Sequence, residues 1–338
     1  MNTGERIRQI RELRGWTQTQ LAQLIDKDQS TIAQIEGGRF EASDEIIKLV
    51  AFASGFPPSF FRQEQSLDFP LGSLALRAHA TLTRREKLRA YRYAQLTFEF
   101  ADKIGKDVSR VPVSLPRVDA DPLEAARVTR SQLGLSPDRP IGHLVNTVEK
   151  MGVLILLLPL NFPHLDAFSL WAGPNKNVPV MAVAASRPGD RQRFSISHEL
   201  WHLISIPRGT PQEIEKNADK FAAEFLTPIM GIKREMISPF TLTEIAKLKA
   251  RWGVSMQSLI RRAAELEVIS DRQYRYLMQQ MSMRGWRRKE PVDVPYEKPT
   301  AFPRIIEKAK AGSERLGSET SYPTSFIKST LAAYIVSS

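Results

Sequence analysis

The stretch RFSISHELWHLI, residues 193–204, decides how this chain is read. His198 and His202 stand four residues apart, so on a helix both imidazoles leave one face and can hold a single cation. Glu199, beside the first of them, leans into the same cleft, where its carboxylate can take a proton from an attacking water. Phe194, Ile196, Leu200, Leu203 and Ile204 give the helix an apolar flank and predict that it is buried. The chain has five histidines and no cysteine. Disulfides, Cys-based zinc ribbons, iron–sulfur clusters and a thiol nucleophile are therefore excluded, and a metal must be held by His and carboxylate. A catalytic zinc takes three protein ligands and a water. The stretch EKNAD, residues 215–219, offers Glu215 and Asp219 on one face of the next predicted helix. One of them would ligate and the other would hydrogen-bond a ligating His from behind. His79, His143 and His164 read as ordinary surface or satisfied histidines, His164 being the one candidate among them for a contact with a reacting group.

Working outward, Val153 to Leu158 is an unbroken aliphatic run and reads as a buried strand. Residues 168–171 and 178–184 are further strand candidates, and Pro188-Gly189-Asp190 is a turn. Helices are expected at 123–133, 143–151 and 213–226. The helical pair 242–251 and 256–266 reads as packing that completes this domain rather than as a second DNA-binding unit. Upstream, 82–104 is a longer helix rich in Arg and aromatics, followed by a proline-bearing linker over 105–122. Beyond Trp286 the chain is rich in Pro and charge with little periodicity, and an extended, partly mobile tail is expected. The longest apolar run is far shorter than the roughly 20 residues a bilayer needs. The N-terminus is polar at once, so a cytoplasmic protein with no membrane partner is expected.

The first 61 residues read as short helices. Ile7, Ile10 and Leu13 recur at helical spacing up to Gly15, and Thr17 with Gln20 forms a capping-box signature. Asp28 opens a helix carrying Ile32 and Ile35. The phrases Ile10 to Ala22 (IRELRGWTQTQLA) and Gln29 to Gly38 (QSTIAQIEGG) resemble the XRE, Cro/repressor-like, helix-turn-helix family. The resemblance implies a double-stranded DNA operator as partner and a homodimer on paired half-sites. Gln29, Ser30 and Gln34 would face the major groove, where Gln pairs bidentately with adenine. Thr31 would approach bases or a thymine methyl, Gln18 a phosphate, and Arg39, Arg11 and Arg14 the DNA backbone. The formal charge of +11 fits an anionic partner. Residues 1–65, however, hold eight basic and nine acidic side chains, so the surplus lies elsewhere.

The phrase at 193–204, taken with Glu215 to Pro228 (EKNADKFAAEFLTP), resembles the ImmA/IrrE family of metallo-endopeptidases. This implies a zincin-like fold of a small sheet plus an active-site helix. It also implies Zn2+ on His198, His202 and Glu215, with Asp219 behind them and Glu199 as general base. Trp201 stands where that family usually has Gly, and Asn217 where many members carry Glu. The resulting expectation is an α+β, mostly helical chain. It comprises a lambda-repressor-like all-α domain over 1–65, a helical linker region over 66–120, a metallopeptidase domain over 121–290 and a tail over 291–338. Its function would be DNA-binding regulation, with a zinc-dependent peptidase domain that cleaves a protein substrate or partner regulator. The alternative is a non-catalytic regulator or antitoxin-like autorepressor that uses the second domain as a sensor or partner-binding platform.

Overall fold

The computed structural model describes residues 3–64, 68–72, 82–105, 111–159, 164–185, 187–308 and 313–335, without the side chains of 313 and 314; His79 lies outside these. Helices α1 (Thr3–Arg14), α2 (Gln18–Leu24), α3 (Gln29–Glu36), α4 (Asp44–Ser54) and α5 (Pro58–Phe61) come first. The Thr17 hydroxyl accepts from the Gln20 amide and the Gln20 side chain accepts from the Thr17 amide, which satisfies two orphan donors at the start of α2. Ser43 caps α4, and Gly55 ends it at φ +73°. Ile7, Ile10, Leu21, Ile32, Ile35, Val50 and Phe60 form the shared core.

Helix α6 (Arg84–Ile104) begins with a second capping box, Thr83 with Glu86. It is not a spacer. One face meets α1 through a buried polar seam: Arg6 pairs with Glu99 at 2.7 Å, Gln9 donates to Gln95 at 3.0 Å, and Arg92 donates to Glu12 at 2.7 Å. Each charge here has an opposite partner, the condition under which buried ions are tolerated. The seam's directional bonds fix how α1 sits on α6.

After α7 (Pro122–Gln132) and α8 (Leu144–Lys150) come strands β1 (Leu154–Leu158), β2 (Ala167–Ala172) and β3 (Val178–Ala184). Their order is β1-β3-β2. β1 lies parallel to β3, with Leu154 opposite Val180, and β2 lies antiparallel to β3, with Ala167 opposite Val183. Both faces are covered, which is why the strands read as continuous apolar runs rather than alternating ones. Helix α9 (Gly189–Ile204) packs on β2 and β3, and α10 (Pro211–Leu226) packs on α9 and α7. Helices α11 (Ile229–Glu235), α12 (Leu242–Trp252), α13 (Met256–Glu265) and α14 (Asp271–Met283) complete this half. The α12–α13 pair buries Ile245, Trp252, Leu259 and Ile260 and acts as packing. Among the described residues no helix is long and apolar enough to cross a membrane.

The extended tail expected beyond Trp286 is corrected. Residues 301–308 and 313–335 carry α15 (Ala301–Lys308), α16 (Ser313–Thr320) and α17 (Thr324–Ile335). Phe302, Ile305, Leu316, Tyr322, Phe326, Ile327 and Tyr334 are buried against α6 and β1. The prolines misled because Pro303 falls in the first turn of α15 and Pro323 just before α17, where a missing N–H costs nothing. Tyr322 donates to Glu99 at 3.1 Å. The Tyr334 hydroxyl accepts from the Leu157 amide at 3.0 Å and donates to the Ile155 carbonyl at 3.4 Å, so a helix side chain satisfies the outer edge of β1.

A candidate metal centre and a candidate nucleic-acid interface

Helix α9 is held in place from both ends. Near its start, the Gln192 side chain exchanges hydrogen bonds with the Glu297 backbone at 2.7 and 2.9 Å. Arg193 pairs with the Glu297 carboxylate and donates to the Ile141 carbonyl at 2.7 Å. Lys249 bridges Asp190 and Glu290 at 2.6 and 2.7 Å. At Gly189 any Cβ would lie 2.3 Å from the Val294 carbonyl oxygen, so the 290–297 segment crosses the helix at backbone distance. Near its other end Trp201 fills the α9–α10 interface, its ring 5.5 Å from Phe221. The departure from Gly at this position is thus absorbed by packing against α10.

This frame brings His198, His202 and Glu215 together, each offering a ligand atom within 4.8 Å of the others. The two Nε2 atoms are 3.2 Å apart. Glu215 Oε2 is 3.4 Å from the first and Oε1 is 3.3 Å from the second. A tetrahedron with bonds of about 2.0–2.1 Å, the zinc–nitrogen and zinc–oxygen range, has edges of about 3.3–3.4 Å. The imidazole pair is close to such an edge, the carboxylate turns one oxygen to each ring, and the donor set suits Zn2+. Burial pushes the Glu215 carboxyl up, but hydrogen bonds and charge from His198 and His202 outweigh it and hold the group well below the usual carboxylate range.

Asp219 lies one turn along α10 and behind His198, with Oδ1 2.9 Å from Nδ1. Of the two acids the sequence leaves open, Glu215 therefore faces the imidazole pair and Asp219 backs it. Glu199 has no solvent exposure. Its Oε2 accepts from the Ser169 hydroxyl at 2.8 Å. Ser169 sits on β2, and sequence reasoning missed it: a serine inside an apolar strand run gives no periodic signal, although a buried hydroxyl among aliphatics does ask for a partner. Glu297 was missed for a similar reason, because its role depends on a contact made 104 residues away. His143 caps α8 by accepting from the Asn146 amide at 3.1 Å, and His164 is exposed.

In the N-terminal unit, Gln29 and Ser30 lie exposed at the start of α3, Thr31 and Gln34 are half-buried on it, and Arg39 is exposed just past it. Gln18 links the two helices: its amide donates to Glu36 at 2.9 Å and its oxygen accepts from Gln29 at 2.9 Å. Arg11, expected beside the DNA backbone, is engaged within the unit. It chelates Glu36 at 2.5 and 2.8 Å and donates to the Trp16 carbonyl at 3.0 Å. Arg14 donates to the Ser54 carbonyl. Both tie the unit together internally. A surface cleft of about 570 Å³ beside Thr17, Gln18 and Gly37 is lined also by Arg84 and Arg85 of α6. Arg85 donates to Gln20 on α2 at 3.3 Å.

Two family models match the chain. One, described as helix-turn-helix, matches residues 7–53, and the other, an IrrE N-terminal-like domain, matches residues 148–264. No curated protein matches the chain.

Proposed function

We propose that this chain, which joins an XRE-type helix-turn-helix unit to an IrrE/ImmA-like domain of the M78 peptidase family, is a DNA-binding regulator whose second domain hydrolyses peptide bonds. One observation carries the enzymatic part: the Nε2 atoms of His198 and His202 lie 3.2 Å apart, and each has one oxygen of the Glu215 carboxylate at 3.4 and 3.3 Å respectively. In this reading those three residues hold Zn2+, which when bound makes a water more acidic and polarises the substrate carbonyl. Asp219 accepts the Nδ1 proton of His198 and so keeps the Nε2 lone pair turned to the site. Glu199 takes a proton at its carboxylate from the attacking water and returns it to the leaving amine. Ser169 holds the Glu199 carboxylate by its Oε2. The substrate is a protein, a partner regulator or a repressor.

The DNA half follows from the exposed Gln29 and Ser30 at the start of α3, with Thr31, Gln34 and Arg39 beside them. Gln18 orients Gln29 and approaches a phosphate. The charge that residues 1–65 lack comes from α6: Arg84 and Arg85 share the cleft with Thr17 and Gln18, which places cations beside the path of the DNA backbone. Two copies on paired half-sites complete the reading, and the protein works in the cytoplasm.

The experiment is metal analysis of the purified full chain, combined with cleavage assays against an unstructured peptide and against co-expressed regulators. One zinc per chain together with cleavage that Glu199→Gln abolishes supports the peptidase reading. Zinc without cleavage of any protein leaves a metal-stabilised sensor domain.

A further inference from the structure

We propose that residues 68–72 are a resident strand: they lie along the free edge of β2, where an extended peptide would bind, and keep the candidate site covered until they leave. The inference rests on the peptidase reading only for what that edge is for. β2 is the outer strand of the β1-β3-β2 sheet. A sheet edge recruits extended peptides through its unpaired backbone groups. This edge runs beside the site, since Ser169 of β2 donates to Glu199 at 2.8 Å and the Trp171 indole donates to the Leu203 carbonyl of α9 at 3.2 Å.

Two contacts fix the direction of the covering segment. The Gly173 amide donates to the Asp68 carbonyl at 2.8 Å. Four residues on, Gly72 presses so closely on the strand that a Cβ there would lie 2.1 Å from the Ser169 carbonyl oxygen and 2.5 Å from Leu170 Cβ. Residue 68 thus lies at 173 and residue 72 at 169, so the segment runs antiparallel to β2, as an added strand would. Pro70, between the two contacts, has no N–H to offer a further strand. Gly72 takes φ +55°, a conformation that favours glycine.

The cover is anchored to the DNA-binding half. Phe69 is buried, with its ring 5.7 Å from Tyr91 and 5.5 Å from Phe98, both on α6. The Tyr91 hydroxyl donates to the Phe69 carbonyl. α6 in turn is locked to α1 through Arg6–Glu99 and Arg92–Glu12. A shift of α6 when α1 to α3 engage DNA would therefore pull on the segment that lies against β2, the strand whose Ser169 holds Glu199. The occupant is short, and its described contacts are the Phe69 anchor, the Tyr91 hydroxyl on the Phe69 carbonyl and the Gly173–Asp68 backbone bond.

The test uses the zinc-loaded full chain and two variants. Gly72→Ala forces the segment off Ser169 and Leu170 of β2. Phe69→Ala removes the anchor, and Gly72→Ala keeps the idea testable if that variant folds poorly. Amide hydrogen exchange over residues 167–173 reports occupancy of the edge independently of chemistry, and a quenched unstructured peptide reports turnover. Exchange at the Gly173 amide should accelerate about tenfold or more, and peptide turnover should rise with it. Adding Glu199→Gln should abolish the turnover and leave the faster exchange. Faster exchange with no cleavage by any form, wild type included, upholds the resident strand and sinks the peptidase reading. Unchanged exchange in folded Gly72→Ala overturns the proposal, as does faster exchange with unchanged or lower turnover in an active enzyme.

Discussion

Asp219 Oδ1 lies 2.9 Å from Nδ1 of His198, while Nε2 of the same ring faces Nε2 of His202 at 3.2 Å. One nitrogen is thus set by a carboxylate on α10 and the other is left for a ligand's role. Partners of this kind commonly change metal affinity by about 10–100-fold. Asp219→Asn should weaken zinc binding by that order in a competition titration with a chromophoric chelator. His198→Ala should lose stoichiometric metal altogether. If Asp219→Asn binds zinc as tightly as wild type, Asp219 has no role behind the site.

Glu199 and Ser169 separate chemistry from metal binding. Glu199→Gln keeps the shape of the side chain and its place against Ser169, so zinc content and thermal midpoint should stay near wild type. Peptide turnover should fall by about 10²–10⁴-fold, the usual contribution of a general base. Ser169→Ala leaves the carboxylate in place without the hydroxyl that donates to it at 2.8 Å. It should give an intermediate loss together with a shifted pH–rate profile. Full turnover in Glu199→Gln would reassign the proton transfer.

On DNA, Gln29 and the α6 arginines should fail in different ways. Each phosphate neutralised by a cation contributes about 0.9 to the slope of log K against log salt. Arg84→Ala with Arg85→Ala should therefore flatten that slope by nearly two on a mixed-sequence duplex and weaken binding to all sequences alike. Gln29→Ala should leave the slope as it is and relax discrimination at one base position, by about 1–3 kcal/mol. Anisotropy titrations at four salt concentrations check both. An unchanged slope in the arginine pair removes α6 from the interface.

The sequence made some parts of this molecule legible and concealed others. His198, Glu199, His202 and Glu215 could be read because helical spacing alone places side chains on a face, and α9 and α10 are regular helices. β3 could be read as Val178–Ala184 because fully covered strands carry unbroken apolar runs. Ser169 and Glu297 could not be read, since each acts through a contact made by the fold rather than by its neighbours in the chain. The last three helices stayed hidden because Pro303 and Pro323, which mimic breakers, sit at the starts of α15 and α17. That Arg11 chelates Glu36 was not legible either, because α1 and α3 meet only in the fold.

The seam between α1 and α6 gives a pH signature. Burial raises the Glu12 carboxyl, but the charge and hydrogen bond of Arg92, with a further bond from Arg8, outweigh it and hold the group below its ordinary value of 4.5. The folded value therefore lies below the unfolded one. Stability from this group is present in full above the unfolded value and is lost as pH falls through the folded value. Glu12→Gln should cost about 1.5–3 kcal/mol at pH 7, the scale of a charge-assisted hydrogen bond, and progressively less at pH 4 and below. Urea unfolding of both proteins at pH 7, 5 and 3.5, monitored by tryptophan fluorescence, should show the gap between their midpoints closing in acid. A gap that holds constant across that range would mean the seam contributes packing alone and no charge-dependent stability.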